Sequence, residues 1–361
     1  MEENNQLVNM LKSAVNVNAS DIFIVAGRCT IFKVNGAQIE HNKDKVLMPE
    51  DTNKLVNEIY QEAHRDVLRI SKPDADDDFS FALNSVGRFR VNIFHQRGSL
   101  AAVIRVIKFG LPSAKEMRIP DKIMEIANFK KGIVLVTGPA GSGKSTTLAC
   151  ILNKINQSRS GHILTLEDPV EFIHRHNKCI VSQREIFTDC PSYISALRSA
   201  LRESPDVILL GEMRDHETMD VAMTAAETGQ LLFSTLHTTG AANTVDRIID
   251  EFPANQQSQV RLQLSMVLQA VISQQLVPSV DGKLVPAFEI MFMNMAIRNL
   301  IRESKTHQID AAISSGASEG MKTMDTSLLE LYKEGIITKE TVLTRCHDFD
   351  IMQKKLEILN R

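Results

Sequence analysis

IVLVTGPAGSGKSTTLACIL, residues 133–152, is the stretch of this chain that decides the fold. It begins with an apolar run of the length of a buried strand, continues through a glycine-rich turn and ends in a helix-forming segment. Gly138, Gly143, Lys144 and Ser145 fit the spacing G-x-x-x-x-G-K-[ST] of a phosphate-binding loop. Because glycines let backbone N–H groups converge on phosphate oxygens, the stretch predicts a nucleotide site at the end of a central strand.

The chemistry of such a loop predicts a role for each of its polar residues. The helix that begins near Lys144 would direct the positive end of its dipole at the phosphates. We expect Lys144 to contact the β- and γ-phosphates of ATP and the Ser145 hydroxyl to bind Mg²⁺. The predicted binding set is Gly138, Pro139, Ala140, Gly141, Ser142, Gly143, Lys144, Ser145 and Thr146.

The pattern around this loop predicts an α/β domain over residues 121–361. Four short apolar runs, 133–137, 163–166, 207–210 and 231–235, alternate with segments of helical periodicity. This alternation is typical of a parallel sheet with crossover helices, as in RecA-like P-loop nucleotidases. We expect the part of the domain from about residue 280 to 361 to be helical.

Acidic residues or a histidine follow three of these predicted strands. Glu167 and Asp168 follow the second strand, Gly211 and Glu212 the third, and His237 the fourth. The carboxyl ends of parallel strands face the ligand. Taken singly, such residues are usually helix caps, solvated loop residues or structural histidines, but their order after a phosphate-binding loop favours catalysis. Many P-loop enzymes have an aspartate at the position of Gly211, so Glu212 is the candidate to polarise the attacking water.

The first 110 residues predict a smaller α+β domain. Its expected strands are 21–26, 30–34, 79–83, 87–94 and 100–107, with a helix over 52–69. The first two strands would form a hairpin. Lys108–Pro120 lacks either periodicity and carries Gly110, Pro112 and Pro120, so we interpret residues 111–120 as an interdomain linker.

Arginines of the amino-terminal part alternate with apolar residues on the predicted strand 87–94. Arg88 and Arg90 would share one face of that strand, Arg97 would fall in the following turn, and Arg105 in the next strand. A solvated basic face explains such a pattern on its own, since exposed arginines are common on edge strands.

Composition excludes several classes of function. No apolar run approaches the roughly 20 residues of a membrane span, and the polar, acidic start predicts neither a signal peptide nor an anchor. Five cysteines without a C-x-x-C pair indicate reduced thiols in a cytoplasmic protein. A net charge of −3, no Trp and three Tyr argue against nucleic-acid binding, although a RecA-like nucleic-acid translocase stays the least favoured alternative.

Four segments resemble motifs of the secretion and pilus ATPases. GPAGSGKST, TLEDPVEFIH, ALRESPDVILLGEMRD and TAAETGQLLFSTLHTTGAANTVDRIIDEFP are similar to the Walker A, Asp box, Walker B and His box of that family. The resemblance implies that Glu167 and Glu212 lie near Mg²⁺, each through water, and that His237 senses the γ-phosphate. It also implies a PAS-like amino-terminal domain whose arginines, Arg90, Arg97 and Arg105, act on the ATP of a neighbouring subunit.

The carboxyl-terminal part resembles the retraction branch of these ATPases, the PilT family. Residues 296–303 read AIRNLIRE, an amphipathic helix similar to a motif of that branch. The extension and secretion ATPases typically carry a four-cysteine zinc module and a longer amino-terminal region, and neither is present here. The resemblance implies a homo-hexamer at the cytoplasmic face of the inner membrane, a platform protein of the PilC type as partner, and a paralogous retraction ATPase as a further one. An extension or type II secretion motor is the alternative.

Overall fold

The amino-terminal unit is built on a six-stranded antiparallel sheet. The computed structural model describes residues 6–34, 36–72, 74–84, 86–107 and 110–359. This first unit comprises the chain through Gly110 together with Glu171–Ile173. Its elements are α1 (Gln6–Asn16), β1 (Asp21–Ile24), β2 (Ile31–Val34), β3 (Ala37–Glu40), α2 (Pro49–Glu62), β4 (Asp77–Leu83), β5 (Gly87–Gln96) and β6 (Ser99–Ile107).

Alternating burial fixes the register of this sheet. The strand order is β3-β2-β1-β6-β5-β4, and the alternate residues of β5 that face inward are buried. They form one core with the apolar faces of both helices, including Leu11, Ile59, Phe89 and Ile104. The predicted hairpin and α+β character are confirmed by this arrangement.

The expected helix over 52–69 was wrong in its second half. The helix α2 ends at Glu62, and a short 3-10 helix follows at Val67–Ile70. His64 has a φ of 52°, which a helix cannot contain, so the chain turns away at that residue. Of the segment 108–120, Lys108 and Phe109 lie outside the described residues. Residues 114–118 form a turn.

The carboxyl-terminal unit, Leu111–Val170 and the chain from His174, contains a seven-stranded sheet. Its strands are β7 (Gly132–Thr137), β8 (Gly161–Glu167), β9 (Cys179–Glu185), β10 (Val207–Leu210), β11 (Leu231–Leu236), β12 (Leu268–Pro278) and β13 (Leu284–Phe292). Their order is β13-β12-β7-β11-β10-β8-β9, with only β13 antiparallel to its neighbour. Strand β7, which leads into the phosphate-binding loop, is therefore central and fully buried.

Helices cover both faces of this sheet. They are α3 (Asp121–Met124), α4 (Lys144–Ser158), α5 (Tyr193–Ala200), α6 (His216–Glu227), α7 (Ala241–Asp250), α8 (Gln257–Val267), α9 (Met295–Arg302), α10 (Ile309–Ser315), α11 (Met324–Lys333), α12 (Lys339–Arg345) and α13 (Phe349–Leu359). Two large apolar clusters separate them from the strands. None of these helices, nor any other within the described ranges, has the length and apolarity needed to cross a bilayer.

Two parts of the sequence-based assignment need correction. The region from about 280, expected to be helical, begins with the strand β13, which pairs along its length with β12; helices start only at Met295. The edge strand β9 was also missed, because CIVSQRE is polar in its second half and resembles a loop. Both errors concern strands at the two edges of the sheet.

Candidate nucleotide site

The phosphate-binding loop is pressed against β12. Gly138, directly after β7, has a φ of 138°, and a Cβ atom placed there would lie 2.0 Å from the carbonyl oxygen of Gln274. Only glycine fits this position, because both the backbone conformation and the space exclude a side chain. The close approach shapes the loop into a concave cradle of backbone amides in front of α4.

Lys144, the first residue of α4, is buried within this loop. Its Nζ atom donates hydrogen bonds to the carbonyl oxygens of Gly138, at 2.9 Å, and Pro139, at 3.0 Å. Nearby, the buried hydroxyl of Ser142 has no hydrogen-bond partner among the described residues. A buried ammonium beside an unsatisfied hydroxyl and a helix amino terminus is an arrangement that accepts a phosphate group.

Gln274 supports the loop from behind and was not predicted from the sequence. Its Oε1 atom accepts a 2.7 Å hydrogen bond from the buried Thr147 hydroxyl of α4. Its Nε2 atom would lie 2.9 Å from a Cβ atom at Gly143. The backbone of Gln274 thus packs against Gly138 and its side chain against Gly143, at the two ends of the loop. Gln274 lies 127 positions after its hydrogen-bond partner Thr147.

Glu212 and His237 lie together at the carboxyl ends of β10 and β11. Glu212 Oε2 is 3.6 Å from His237 Nε2, and Glu212 Oε1 is 2.5 Å from Arg214 Nη2. The side chain of Glu212 is only 16% exposed, whereas those of His237 and Arg214 are 60% and 72% exposed. The hydrogen bond that Arg214 donates to Glu212 raises the pKa of the arginine. This carboxylate therefore contacts two basic groups that are exposed to solvent.

Tyr193, the first residue of α5, stands among the acidic residues of the site. Burial raises the pKa of its phenol, and the charges of Asp168, Glu212 and Glu167 raise it further. Glu167 ends β8, where its Oε1 atom accepts a 3.4 Å hydrogen bond from Gln183. The predicted acidic residues therefore all act electrostatically on one phenol, which no motif in the sequence signals.

The loop after His237 is tied to three neighbouring elements. The hydroxyl of Thr238 is 2.8 Å from that of Thr244 on α7. The backbone N–H of Gly240 donates to Ser273 on β12, and that of Ala241 donates at 2.7 Å to the carboxylate of Glu289 on β13. Hydrogen bonds therefore connect this loop to β12 and β13, the two strands that lie beyond β7.

The predicted arginines lie in the amino-terminal unit. Arg90 and Arg105 are directly opposite on β5 and β6, where their like charges would repel. Asp78 binds Arg90 through both carboxylate oxygens, at 3.0 and 2.6 Å, and Asp21 binds Arg105 at 3.0 Å. Arg97 is exposed in the β5–β6 turn with a φ of 48°, roughly 20 Å along the hairpin at the rise of a strand. One phosphate group cannot contact both the Arg90–Arg105 pair and Arg97.

Comparisons with known proteins agree with this fold. The family model described as "Type II/IV secretion system protein" matches residues 4–345. The chain belongs to this family. It is 44% identical to a twitching motility protein of Neisseria gonorrhoeae over 96% of this chain and 92% of that protein. It is also 44% identical to the type IV pilus retraction ATPase PilT of Pseudomonas aeruginosa, over 92% of this chain and 96% of that one.

A solved structure of this family supports the same conclusion. The crystal structure of the pilus retraction motor PilT with bound ADP superimposes with a TM-score of 0.86 at 43% identity, covering 96% of this chain and 98% of that one. The predicted family, the RecA-like fold class and the assignment as an ATPase are confirmed.

A cavity of about 630 Å³ opens beside the phosphate-binding loop. It adjoins Gly143, Thr146 and Thr147 and is otherwise lined by apolar and polar side chains of the same unit. These include Met117, Arg118, Ile119, Leu276, Val280, Asp281, Leu284, Val285 and Ile336. Its size and mixed lining are typical of a small-molecule site.

Proposed function

We propose that this chain is one subunit of a homo-hexameric ATPase motor that retracts a type IV pilus and so supports twitching motility. The observation that carries the proposal is the loop before α4, where Gly138 is pressed onto β12 and the ammonium of Lys144 is held by two loop carbonyls. Relatives of nearly equal length that are named for twitching motility and pilus retraction support the direction of the motor.

Binding of ATP would use both the loop and the adjoining cavity. The phosphates would lie in the backbone cradle of residues 138–146, where Lys144 exchanges its carbonyl partners for phosphate oxygens. The nucleoside would occupy the cavity next to Thr146 and Thr147, whose mixed lining offers apolar side chains to the base and polar groups to its edges and the ribose.

A magnesium ion fits the oxygen donors of this site. Hydroxyl and carboxylate oxygens are the ligands that Mg²⁺ prefers, and it commonly keeps several of its waters. Ser145 would bind it directly, and Glu167 and Glu212 would hold its waters. The ion would neutralise charge that develops on the phosphate oxygens.

Hydrolysis would depend on Glu212. Its carboxylate is largely buried and is oriented by Arg214 and His237, so it can accept a proton from the attacking water. His237, whose side chain is more exposed than that of Glu212, would respond to the presence of the γ-phosphate. The ties of its loop to β12 and β13 supply a path for that response.

Arginines from a neighbouring subunit would complete the site. An arginine delivered to the γ-phosphate accelerates phosphoryl transfer by roughly 10³–10⁵. Arg90, Arg97 and Arg105 are the candidates. Arg90 and Arg105 would release their aspartates to do so, whereas Arg97 is exposed at a turn. Delivery in trans requires a closed ring, for which we propose six subunits.

The ring would act at the cytoplasmic face of the inner membrane, at the base of the pilus. There it would convert conformational changes of its subunits into mechanical work on a membrane platform protein of the PilC type. A paralogous retraction ATPase, where one exists, would act together with it. We expect no nucleic acid to bind, in keeping with the net charge of −3.

A deletion strain tests the direction of the motor. Loss of a retraction motor leaves cells with excess pili that do not twitch, and the wild-type gene should restore twitching while the Glu212→Gln variant should not. Cells without pili would instead identify an extension motor. Stimulation of the purified ATPase by single- or double-stranded DNA would favour a nucleic-acid translocase.

A further inference from the structure

The position of the missing Walker B aspartate is filled by another side chain. Gly211 directly follows β10, and a Cβ atom placed there would lie 2.8 Å from the hydroxyl oxygen of Tyr193. The next nearest atom is the carbonyl oxygen of Leu166, at 3.2 Å. The phenol of Tyr193 therefore reaches the space into which an aspartate at position 211 would project.

The cap and the buried face of α5 hold Tyr193 in place. Ser192 caps α5 by accepting a hydrogen bond from the N–H of Ser195, and Leu197 and Ala200 anchor the helix in the core. On the other side, the Thr235 hydroxyl donates a 2.6 Å hydrogen bond to the carbonyl oxygen of Gly211. Both partners of the contact are thus fixed by elements of the sheet and its covering helices.

The chemistry of a phenol differs from that of the carboxylate it replaces. Glu167, Asp168 and Glu212 already bring negative charge to this end of the sheet. A fourth carboxylate would add repulsion, whereas a neutral hydroxyl can both donate and accept a hydrogen bond. A water bound to a magnesium ion can donate to the phenol oxygen, and the phenol can donate to a neighbouring carboxylate.

We propose that Tyr193 is a positioning residue of the ATPase, whose hydroxyl takes the place of the Walker B aspartate and holds a water of the magnesium shell. The proposal rests on the function proposed above, since it requires magnesium-dependent hydrolysis. It adds a residue at the start of α5, outside the recognised motifs.

Kinetics of Tyr193→Phe provide the first test. The substitution keeps the ring and removes the hydroxyl, so the kcat for ATP should fall about tenfold or more, the effect of losing a hydrogen bond to a charged partner. KM should change less than twofold, because the phosphate-binding loop is untouched. Tyr332→Phe on α11 is the matched control and should leave both constants unchanged. A kcat of Tyr193→Phe within twofold of wild type would overturn the proposal.

Tyrosine fluorescence gives a readout that does not depend on turnover. The chain has no Trp and three Tyr, so its intrinsic emission comes from Tyr60, Tyr193 and Tyr332. The difference between the spectra with Mg²⁺–ADP and with ADP plus chelator should vanish in Tyr193→Phe and persist in Tyr332→Phe. Persistence of the difference in Tyr193→Phe, or its absence from the wild type, would contradict a role at the metal.

Replacing the Tyr193 phenol by a carboxylate at position 211 tests whether the two groups occupy the same space. Gly211→Asp alone should lower kcat, because its Cβ would meet the Tyr193 hydroxyl at 2.8 Å. The double variant Gly211→Asp/Tyr193→Phe places a carboxylate in the vacated space and should recover kcat to within about threefold of wild type. Additive losses in the double variant would refute the exchange. A wild type without magnesium-dependent hydrolysis would refute the proposed function instead.

Discussion

Alanine at Gly138 should disable nucleotide binding much more than alanine at Gly141, a neighbour in the same loop. A Cβ at Gly138 would meet the Gln274 carbonyl oxygen at 2.0 Å, about 1 Å inside contact distance, whereas a Cβ at Gly141 meets nothing within 4 Å. Both residues have positive φ. The value of 76° at Gly141 lies near the left-handed helical region, where alanine carries backbone strain of about 1–2 kcal/mol, and the value of 138° at Gly138 lies beyond it, where the strain is at least as large. Only Gly138→Ala adds overpacking, of about 1–3 kcal/mol.

The sum for Gly138→Ala is therefore about 2–5 kcal/mol, which corresponds to roughly 30-fold to several thousand-fold in ADP affinity. Gly141→Ala should lose about 5- to 30-fold. Titration calorimetry with Mg²⁺–ADP measures the two affinities, and a thermal melt measures any part of the cost that falls on folding. Equal losses of affinity in the two variants, with equal melting temperatures, would refute the argument from contact with β12.

Three further predictions address hydrolysis and stability. Glu212→Gln should bind ATP normally and hydrolyse it about 10²–10⁴-fold more slowly in a phosphate-release assay; an unchanged rate would transfer the catalytic role to Glu167. Mixing Arg90→Ala subunits with Lys144→Ala subunits should restore part of the ATPase activity, because some interfaces then combine the intact Lys144 of one subunit with the intact Arg90 of its neighbour. No recovery at any mixing ratio would contradict action in trans. Burial lowers the pKa of His174 to about 4, whereas the unfolded chain takes up this proton near 6.5, so the free energy of unfolding should fall by roughly 3 kcal/mol as the pH drops from 6.5 to 4. In His174→Gln, denaturant melts over this range should show a smaller pH dependence, and an unchanged slope would rule out this histidine as the cause.

The centre of the ATPase unit could be predicted from the sequence because its signals are local. The strand β7, the loop and α4 follow one another without interruption, and the strands β8, β10 and β11 are short apolar runs buried on both sides. Each strand end then carries its own functional residue. The structure brings Glu212 and His237 within 3.6 Å, as the order of these strands implies.

The supporting residues could not be predicted in the same way because their partners are remote in sequence. Gln274 contacts a loop more than a hundred positions earlier, and its strand β12 carries no period that distinguishes it from a helix. Tyr193 begins a helix with an ordinary amphipathic pattern, and its importance follows only from the glycine that its hydroxyl approaches. Such contacts depend on tertiary packing, which local patterns do not encode.

The arginines illustrate a further limit of local patterns. Strict alternation along β5 correctly placed Arg90 on the face opposite the core. It did not reveal that Arg105 lies directly across from it, nor that Asp78 and Asp21 neutralise the pair. Two arginines that are each bound to an aspartate exchange partners more reluctantly than one that is exposed at a turn. This difference favours testing Arg97 alongside Arg90.

The most direct test of the central claim is the steady-state ATPase rate of Lys144→Ala beside that of Lys154→Ala, an exposed lysine on the same helix α4. If the cradle before α4 holds the triphosphate, the first variant should lose at least about 100-fold in turnover, because the γ-phosphate charge is poorly compensated without the ammonium group, and the second should match wild type. Turnover by Lys144→Ala within a few-fold of wild type would contradict the account.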